Sequence, residues 1–237
     1  MAEQQYQQPS QSSRTTRAME ALARLEAAGE QAANKPSRLR VLSIEGSDPI
    51  GGAGTMADMK AFSAQGVFGY AAMTSVLAQN TQGVTSIVNM EPDFLVAQLN
   101  AVSDDAVIDA MKIGMLGTPE LVDAVKGWLT ALENQYQHDA IAKPVVVLDP
   151  VMYAKSGDAL LTPQAEQALR TIVPMADIIT PNVPELTALA DAGQPATNID
   201  ELETMARLVC ERYRVAVYAK GGALALAGSE SSTDILA

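Results

Sequence analysis

The sequence predicts an α/β protein with a mostly parallel central sheet and helices on both faces, and three observations carry that expectation. Short apolar runs alternate with stretches of helical periodicity from residue 39 onward. The first run, over 40–54 (RVLSIEGSDPIGGAG), empties into a loop with four glycines and is followed by a helical pattern. Straight after successive apolar runs stand Ser47-Asp48, Gln79-Asn80-Thr81, Asp149-Pro150, Thr180-Pro181-Asn182 and Lys220-Gly221-Gly222. In an open parallel sheet all of these lie at the carboxyl edge of the strands, where ligands bind. The opposite turns, Gln65-Gly66 and 192–194, show no such succession of functional groups.

Taken in order, residues 1–16 are rich in Gln and Ser and too polar to offset the entropy of ordering, which predicts disorder. Residues 17–33 hold strong helix formers with Met19, Leu22 and Leu25 on one side, so a peripheral helix is expected there, followed by a linker over 34–38. The extension 1–38 is therefore set apart from a single domain over 39–237, to whose core it should contribute nothing. Strands are expected over 41–44, 70–77, 86–90, 110–116, 145–148, 177–179 and 215–219. Helices are expected over 55–65, 92–102, 119–134, 163–172, 183–191 and 199–213, several with Pro near the start, where its missing N–H costs nothing. In the first of these, Met56, Met59 and Phe62 mark the face expected to be buried.

Composition bounds the function. With 237 residues the chain can bury a real core. A formal net charge of −12 lacks the basic stripe of a nucleic-acid binder and argues against an anionic membrane surface; 4% aromatics offer no stacking platform for single strands. No apolar run reaches membrane-spanning length, and the N-terminus lacks the apolar stretch of a signal peptide. The single cysteine, Cys210, excludes an internal disulfide and a cysteine zinc cluster, and with it the chain reads as cytoplasmic. Cys210 is expected to be a buried structural thiol in mid-helix, and His138 a solvated loop residue.

The glycine-rich loop is not a P-loop, because no Lys-Ser/Thr pair follows its glycines. Gly52-Ala-Gly54-Thr-Met-Ala57 fits the loose dinucleotide fingerprint, but the acidic ribose ligand expected about 20 residues on falls in the neutral run 74–78. Two readings remain: a plain turn, or a place where a ligand approaches the main chain closely.

Gly46-Ser-Asp-Pro with Gly51-Gly-Ala-Gly54, Ala57-Asp58, Ala78-Gln-Asn-Thr81, Lys112-Ile-Gly-Met115, Asp149-Pro-Val-Met152, Lys155-Ser-Gly157, Pro181-Asn-x-x-Glu185 and Lys220-Gly-Gly222 occur in that order. Together they resemble the hydroxymethylpyrimidine/phosphomethylpyrimidine kinases of thiamine biosynthesis, in the ribokinase-like superfamily. The resemblance implies a ribokinase-like three-layer α/β/α sandwich and, with ATP and Mg2+, phosphoryl transfer to an aminopyrimidine hydroxymethyl group and then to the monophosphate. It implies substrate contacts at Gly46, Asp58, Gln79, Met115 and the backbone of Val151. It further implies nucleotide contacts at Asn182 and Lys220, with Glu185 and Asp149 in the cation environment. A carboxylate and an amide suit an aminopyrimidine edge. Read without the resemblance, Asp58 is a helix-start carboxylate, Gln79 a loop polar, and Asn182 with Glu185 a helix cap and its partner. A pyridoxal or pyridoxamine kinase and a non-catalytic pyrimidine-binding module are the alternatives, and a homodimer is the assembly left open.

Two departures stand out. Glu45 occupies a place where the family usually has a small residue, which brings an extra carboxylate to the substrate floor. The sequence also stops at Ala237, before the family's Gly-Thr-Gly-Cys or Gly-Thr-Gly-Asp segment, so no catalytic Cys or Asp is assigned and the domain is expected to lack its C-terminal portion. Losing one oxyanion-type donor typically costs about 10²–10³ in rate, so little or no kinase activity is expected of residues 1–237. An assay for ADP release, comparing this chain with one extended through a Gly-Thr-Gly-Cys segment, should show turnover only in the extended form. Comparable turnover in both would place the catalytic groups within these 237 residues.

Overall fold

The computed structural model describes Ala23, residues 38–153, 160–224 and 232–237. Apart from Ala23, which is helical and exposed, the N-terminal extension and its expected helix lie outside the described residues, as does the Lys155-Ser-Gly157 motif. In chain order the elements are β1 (Arg40–Ser47), α1 (Gly54–Ala64), β2 (Phe68–Asn80), β3 (Gly83–Asn89), α2 (Pro92–Ser103), β4 (Ala110–Ile113), α3 (Pro119–His138) and β5 (Val145–Leu148). There follow α4 (Pro163–Leu169), β6 (Ile178–Ile179), α5 (Val183–Ala190), α6 (Ile199–Tyr213), β7 (Ala216–Ala219) and β8 (Ile235–Leu236).

The described strands form one sheet in the order β3-β2-β1-β4-β5-β6-β7-β8. Neighbours from β2 through β7 pair in parallel, while β3 and β8 are antiparallel at the two edges. The chain runs outward from β1 to β2 and β3, then returns to lay β4 against the other side of β1. Strand order therefore reverses between β1 and β4, and the carboxyl end of that pair is the switch point where an open α/β sheet forms a crevice.

Alternation along the central strands decides the layers. Leu42 and Ile44 of β1, Met111 and Ile113 of β4, and Val146 and Leu148 of β5 are fully or almost fully buried. They share one core cluster with Leu95 and Leu99 of α2, Leu121, Val125 and Trp128 of α3, and Leu202, Ala206 and Val209 of α6. The opposite face of β1 carries Ser43 and Glu45, and there α1 packs, with Ser43 bonded to Asp58. Helix starts follow local chemistry: Thr118 and Thr162 each accept a backbone N–H from three residues on, with Pro at the first helical position.

Several expectations need correction. The strand expected over 70–77 extends to Asn80, so Gln79-Asn80 belongs to the end of β2 and sits near the tip of its hairpin with β3, not in a loop after the strand. In α1 the buried residues are Thr55 and Asp58, while Met56 is 43% exposed, because a polar cluster under the helix takes the place of an apolar stripe. Met59 and Phe62 pack instead over Gly69 of β2, where a Cβ would crowd both side chains. His138 ends α3 and is not in a loop, and Cys210 is half-buried, against the expectation of full burial, since α6 places it at the margin of the core. Ile235–Leu236 form the edge strand β8, antiparallel to β7 and additional to the strands expected. Among the described residues, no helix is long and apolar enough to cross a membrane.

The core makes a stability prediction. Leu99 is fully buried and Phe94, on the same helix, is 59% exposed. Leu99→Ala should cost about 2–5 kcal/mol and Phe94→Ala within about 0.5 kcal/mol, read from urea unfolding.

Candidate active site

Two polar centres line the carboxyl edge. The first lies between β1, β4 and α1, where parallel pairing sets Ser43 beside Lys112. Lys112 donates to Glu45 Oε1 at 2.6 Å and to Asp58 Oδ1 and Oδ2 at 2.9 and 3.0 Å. Ser43 donates to Asp58 Oδ2 at 2.7 Å. Glu45 and Asp58 are both buried, and the carboxyl of Glu45 lies over Gly114, where any Cβ would collide with it.

Burial pushes the Glu45 carboxyl up to about 8, helped by its hydrogen bond to the Asp58 carboxylate and opposed by the Lys112 ammonium. Burial alone would lower Lys112, but the two carboxylates outweigh it and hold the ammonium above its ordinary 10.5. One cation thus serves two acids, and one proton is retained between them.

The glycine-rich loop closes over this centre. Asp48 accepts from the backbone N–H groups of Ile50, Gly52 and Ala53, at 3.1, 3.0 and 3.0 Å. Gly54 has φ +63, and a side chain there would run into the carbonyl of Gly46. Between the two readings of the loop, these N–H groups are spent on an internal turn, and what the loop gives the site is close backbone packing beside Gly46. Gly46 itself faces Leu77, Met115 and Ser75, and Met115 packs against it, almost fully buried. Gln79 lies half-buried beyond Leu77 on the same strand.

The second centre lies at the ends of β5, β6 and β7. Asp149 Oδ1 accepts from Thr180 Oγ1 and Lys220 Nζ, each at 2.9 Å, and residues 182 and 220 form a parallel bridge. Asn182 and Glu185 make a complete capping box at the start of α5. Glu185 is buried and also accepts the N–H of Met152 at 3.3 Å. Burial raises its carboxyl, against the lowering effect of the Asn182 N–H. The N–H of Val151 donates to the Asp149 carbonyl at 2.8 Å, which ties the implied pyrimidine contact to the second centre. Among the described residues no three His, Cys, Asp or Glu side chains are grouped to hold a metal by themselves.

The expected residues thus fall into two groups: Gly46, Asp58 and Met115 around β1 and β4, and Asp149, Val151, Asn182, Glu185 and Lys220 around β5 to β7. Gln79 stands out along the hairpin. Sequence reasoning gave no role to Ser43, Lys112 or Thr180. A lysine within the apolar run 110–116 and a glutamate ending that of 41–44 were the available signals, since a charge on a strand between apolar neighbours needs a partner.

The family model described as phosphomethylpyrimidine kinase matches residues 48–237. A thiamine biosynthesis multifunctional protein from Corynebacterium glutamicum is 45% identical over 191 residues, 81% of this chain and 24% of that protein. The Escherichia coli hydroxymethylpyrimidine/phosphomethylpyrimidine kinase is 45% identical over 188 residues, 79% of this chain and 67% of that one. The crystal structure of a phosphomethylpyrimidine kinase from Clostridium difficile matches with a TM-score of 0.72 and 34% identity, covering 84% of this chain and 80% of that one. The chain therefore spans about a quarter of the multifunctional relative and two thirds of the E. coli enzyme.

The first centre predicts how stability follows pH. Glu45 has an ordinary value of 4.5 and a folded value of about 8, so between these the folded chain binds more protons than the unfolded one. Its contribution is complete below about 4.5 and is lost as pH rises through 8. The urea midpoint should fall across this window in wild type, and Glu45→Gln should flatten the fall. Lys112 keeps its contribution throughout, since its value lies above 10.5.

Proposed function

Because the chain belongs to the phosphomethylpyrimidine kinase family, we propose that it binds 4-amino-5-hydroxymethyl-2-methylpyrimidine and its monophosphate as part of an ATP-dependent phosphoryl-transfer site in thiamine biosynthesis. The observation that carries this reading is the placement of two chemically different centres along one sheet edge. At the switch point, Asp58 is a fixed acceptor for an exocyclic amino group, beside Gly46 and Met115. Further along the edge, Lys220 is held by Asp149 at 2.9 Å, which presents a cation where transferred phosphate charge needs stabilising.

The donor set fits a nucleotide phosphate with magnesium. Mg2+ keeps several waters and takes one or two carboxylates plus substrate phosphates, so it needs no all-protein cage. Asp149 and Glu185 would be the carboxylates to hold it, Glu185 with oxygens that also serve α5 and Met152. Asn182 and Lys220 would orient the phosphates. When bound, the ion supplies charge neutralisation at the transferred group. The chain's own residues hold the pyrimidine on the floor, keep Lys220 near the phosphates and fix the start of α5.

Titration calorimetry with the hydroxymethylpyrimidine tests the reading. Wild type should bind, and Gln79→Ala should weaken binding by about 1–3 kcal/mol. Equal affinity in the two would remove Gln79 from the site, and pyridoxal binding more tightly than the pyrimidine would overturn the substrate class.

A further inference from the structure

The longest stretch of the sequence without a charged side chain, residues 61–90, covers the end of α1, β2 and the edge strand β3. Elsewhere charge is dense, with 28 acidic against 16 basic side chains and a formal net charge of −12. Residues 85–89 of β3 are all exposed, and among the described residues no strand pairs with the outer side of β3. Val76 and Val88 stand directly opposite each other on one face of the hairpin, 45% and 61% exposed. Leu77 and Ile87 are opposite on the other face, where Leu77 is buried and Ile87 exposed. Where β3 ends, the outer side of β2 is covered from within: Gln98 of α2 accepts the N–H of Met73 at 3.0 Å and donates to its carbonyl at 3.1 Å. Among the described residues β3 has no such cap, and it holds no lysine, proline or inward charge of the kind that blunts an edge. Its one irregularity is Thr85, the extra residue of a bulge, which leaves 86–89 as its regular part.

We propose that this edge binds a second copy of the chain: residues 86–89 of β3 pair antiparallel with the same residues of the copy across a two-fold axis, joining two sheets into one. An unpaired, uncharged edge with Ile87 and Val88 at its centre is a template for another strand. A two-fold axis normal to the sheet makes that pairing self-complementary, since each strand meets an identical one running the other way and Val88 stays on the same face as the Val88 of the copy. Charge selects the occupant. Two chains of net charge −12 repel wherever their acidic surfaces meet, and residues 61–90 are the one long stretch that brings no like charges together. A strongly charged partner finds no counter-charge there. Val76, Ile87 and Val88 are shielded from water only by a surface as apolar as their own, and a second copy supplies it.

Sedimentation equilibrium of the 237-residue chain over a dilution series tests this. Wild type should show twice the 25.0 kDa of one chain at high concentration and move toward the monomer on dilution. Val88→Lys sets two ammonium groups against each other across the axis and should raise the dissociation constant at least about a hundredfold. Leu208→Lys, at an exposed apolar position on α6, should leave it unchanged. Added salt should tighten the wild-type dimer by screening the repulsion between acidic chains, whereas an interface of ion pairs would loosen. Hydrogen exchange on wild type needs no variant: the amides of 86–89 should be protected at high concentration and released on dilution. A monomer throughout, a dimer loosened by salt, or a dimer that Val88→Lys and Leu208→Lys affect alike overturns the inference. So do protected amides that ignore dilution, since a segment of the same chain then covers the edge.

Discussion

The half-buried ammonium of Lys112 is the interaction on which the rest of this edge depends. It reaches three carboxylate oxygens on two elements, and those bonds join β4 to β1 and to α1. Desolvating an ammonium and the carboxylate it faces is expensive, and the attraction between them offsets that cost only while each partner is in place. Removing one partner from a buried pair generally costs about 3–5 kcal/mol, far more than a surface ion pair is worth. This explains how α1 docks at all. Its inward residues are Thr55 and Asp58, and an apolar stripe strong enough to seat it is not there. The helix is held at its middle by charge and at its far end by Met59 and Phe62 over Gly69.

That way of seating a helix has a consequence for the loop before it. A glycine-rich loop leading to a helix usually offers its N–H groups to a ligand. Here Asp48 takes three of them, and Gly54 is pressed against the Gly46 carbonyl. The loop is thereby a rigid brace: it sets the height of α1 over β1, and with it the position of Asp58. Backbone freedom at Gly51 and Gly54, with φ +67 and +63, serves geometry and leaves recognition to side chains.

Much of this was legible in the sequence because most of the central strands are buried on both faces and therefore short and continuously apolar. Runs such as 145–148 and the Pro-led helices behind them leave few other interpretations. The polar residues that follow the runs found the edge, including Asp149, Asn182 and Lys220. Two things were not legible. The hairpin extends β2 to Asn80 because β3 pairs with it, and pairing between segments is a tertiary fact that a polar run of Gln, Asn and Thr conceals. The polar seat of α1 was hidden for the opposite reason: Met56, Met59 and Phe62 have helical spacing, and only the presence of Ser43, Glu45 and Lys112 beneath shows why Asp58 wins the inward position. A charge at one strand position announces that it needs a partner, but not from which element the partner comes.

Placing an acid at the switch point has a different cost from placing one elsewhere along the edge. Asp149 stands among donors that surround the edge loops, Thr180 and Lys220, and Lys220 remains 39% exposed, so water shares the burden of charge. Glu45 lies under the loop with little access to water, and its only inexpensive states are paired or protonated. The pairing ammonium is already shared with Asp58, so protonation is what remains. In this fold Asp58 hangs from a helix and meets two donors, Ser43 and Lys112, while Glu45 rises from the strand beneath and meets one. The reversal of strand order between β1 and β4 thus opens the crevice in which both acids sit, one from the strand and one from the helix above it.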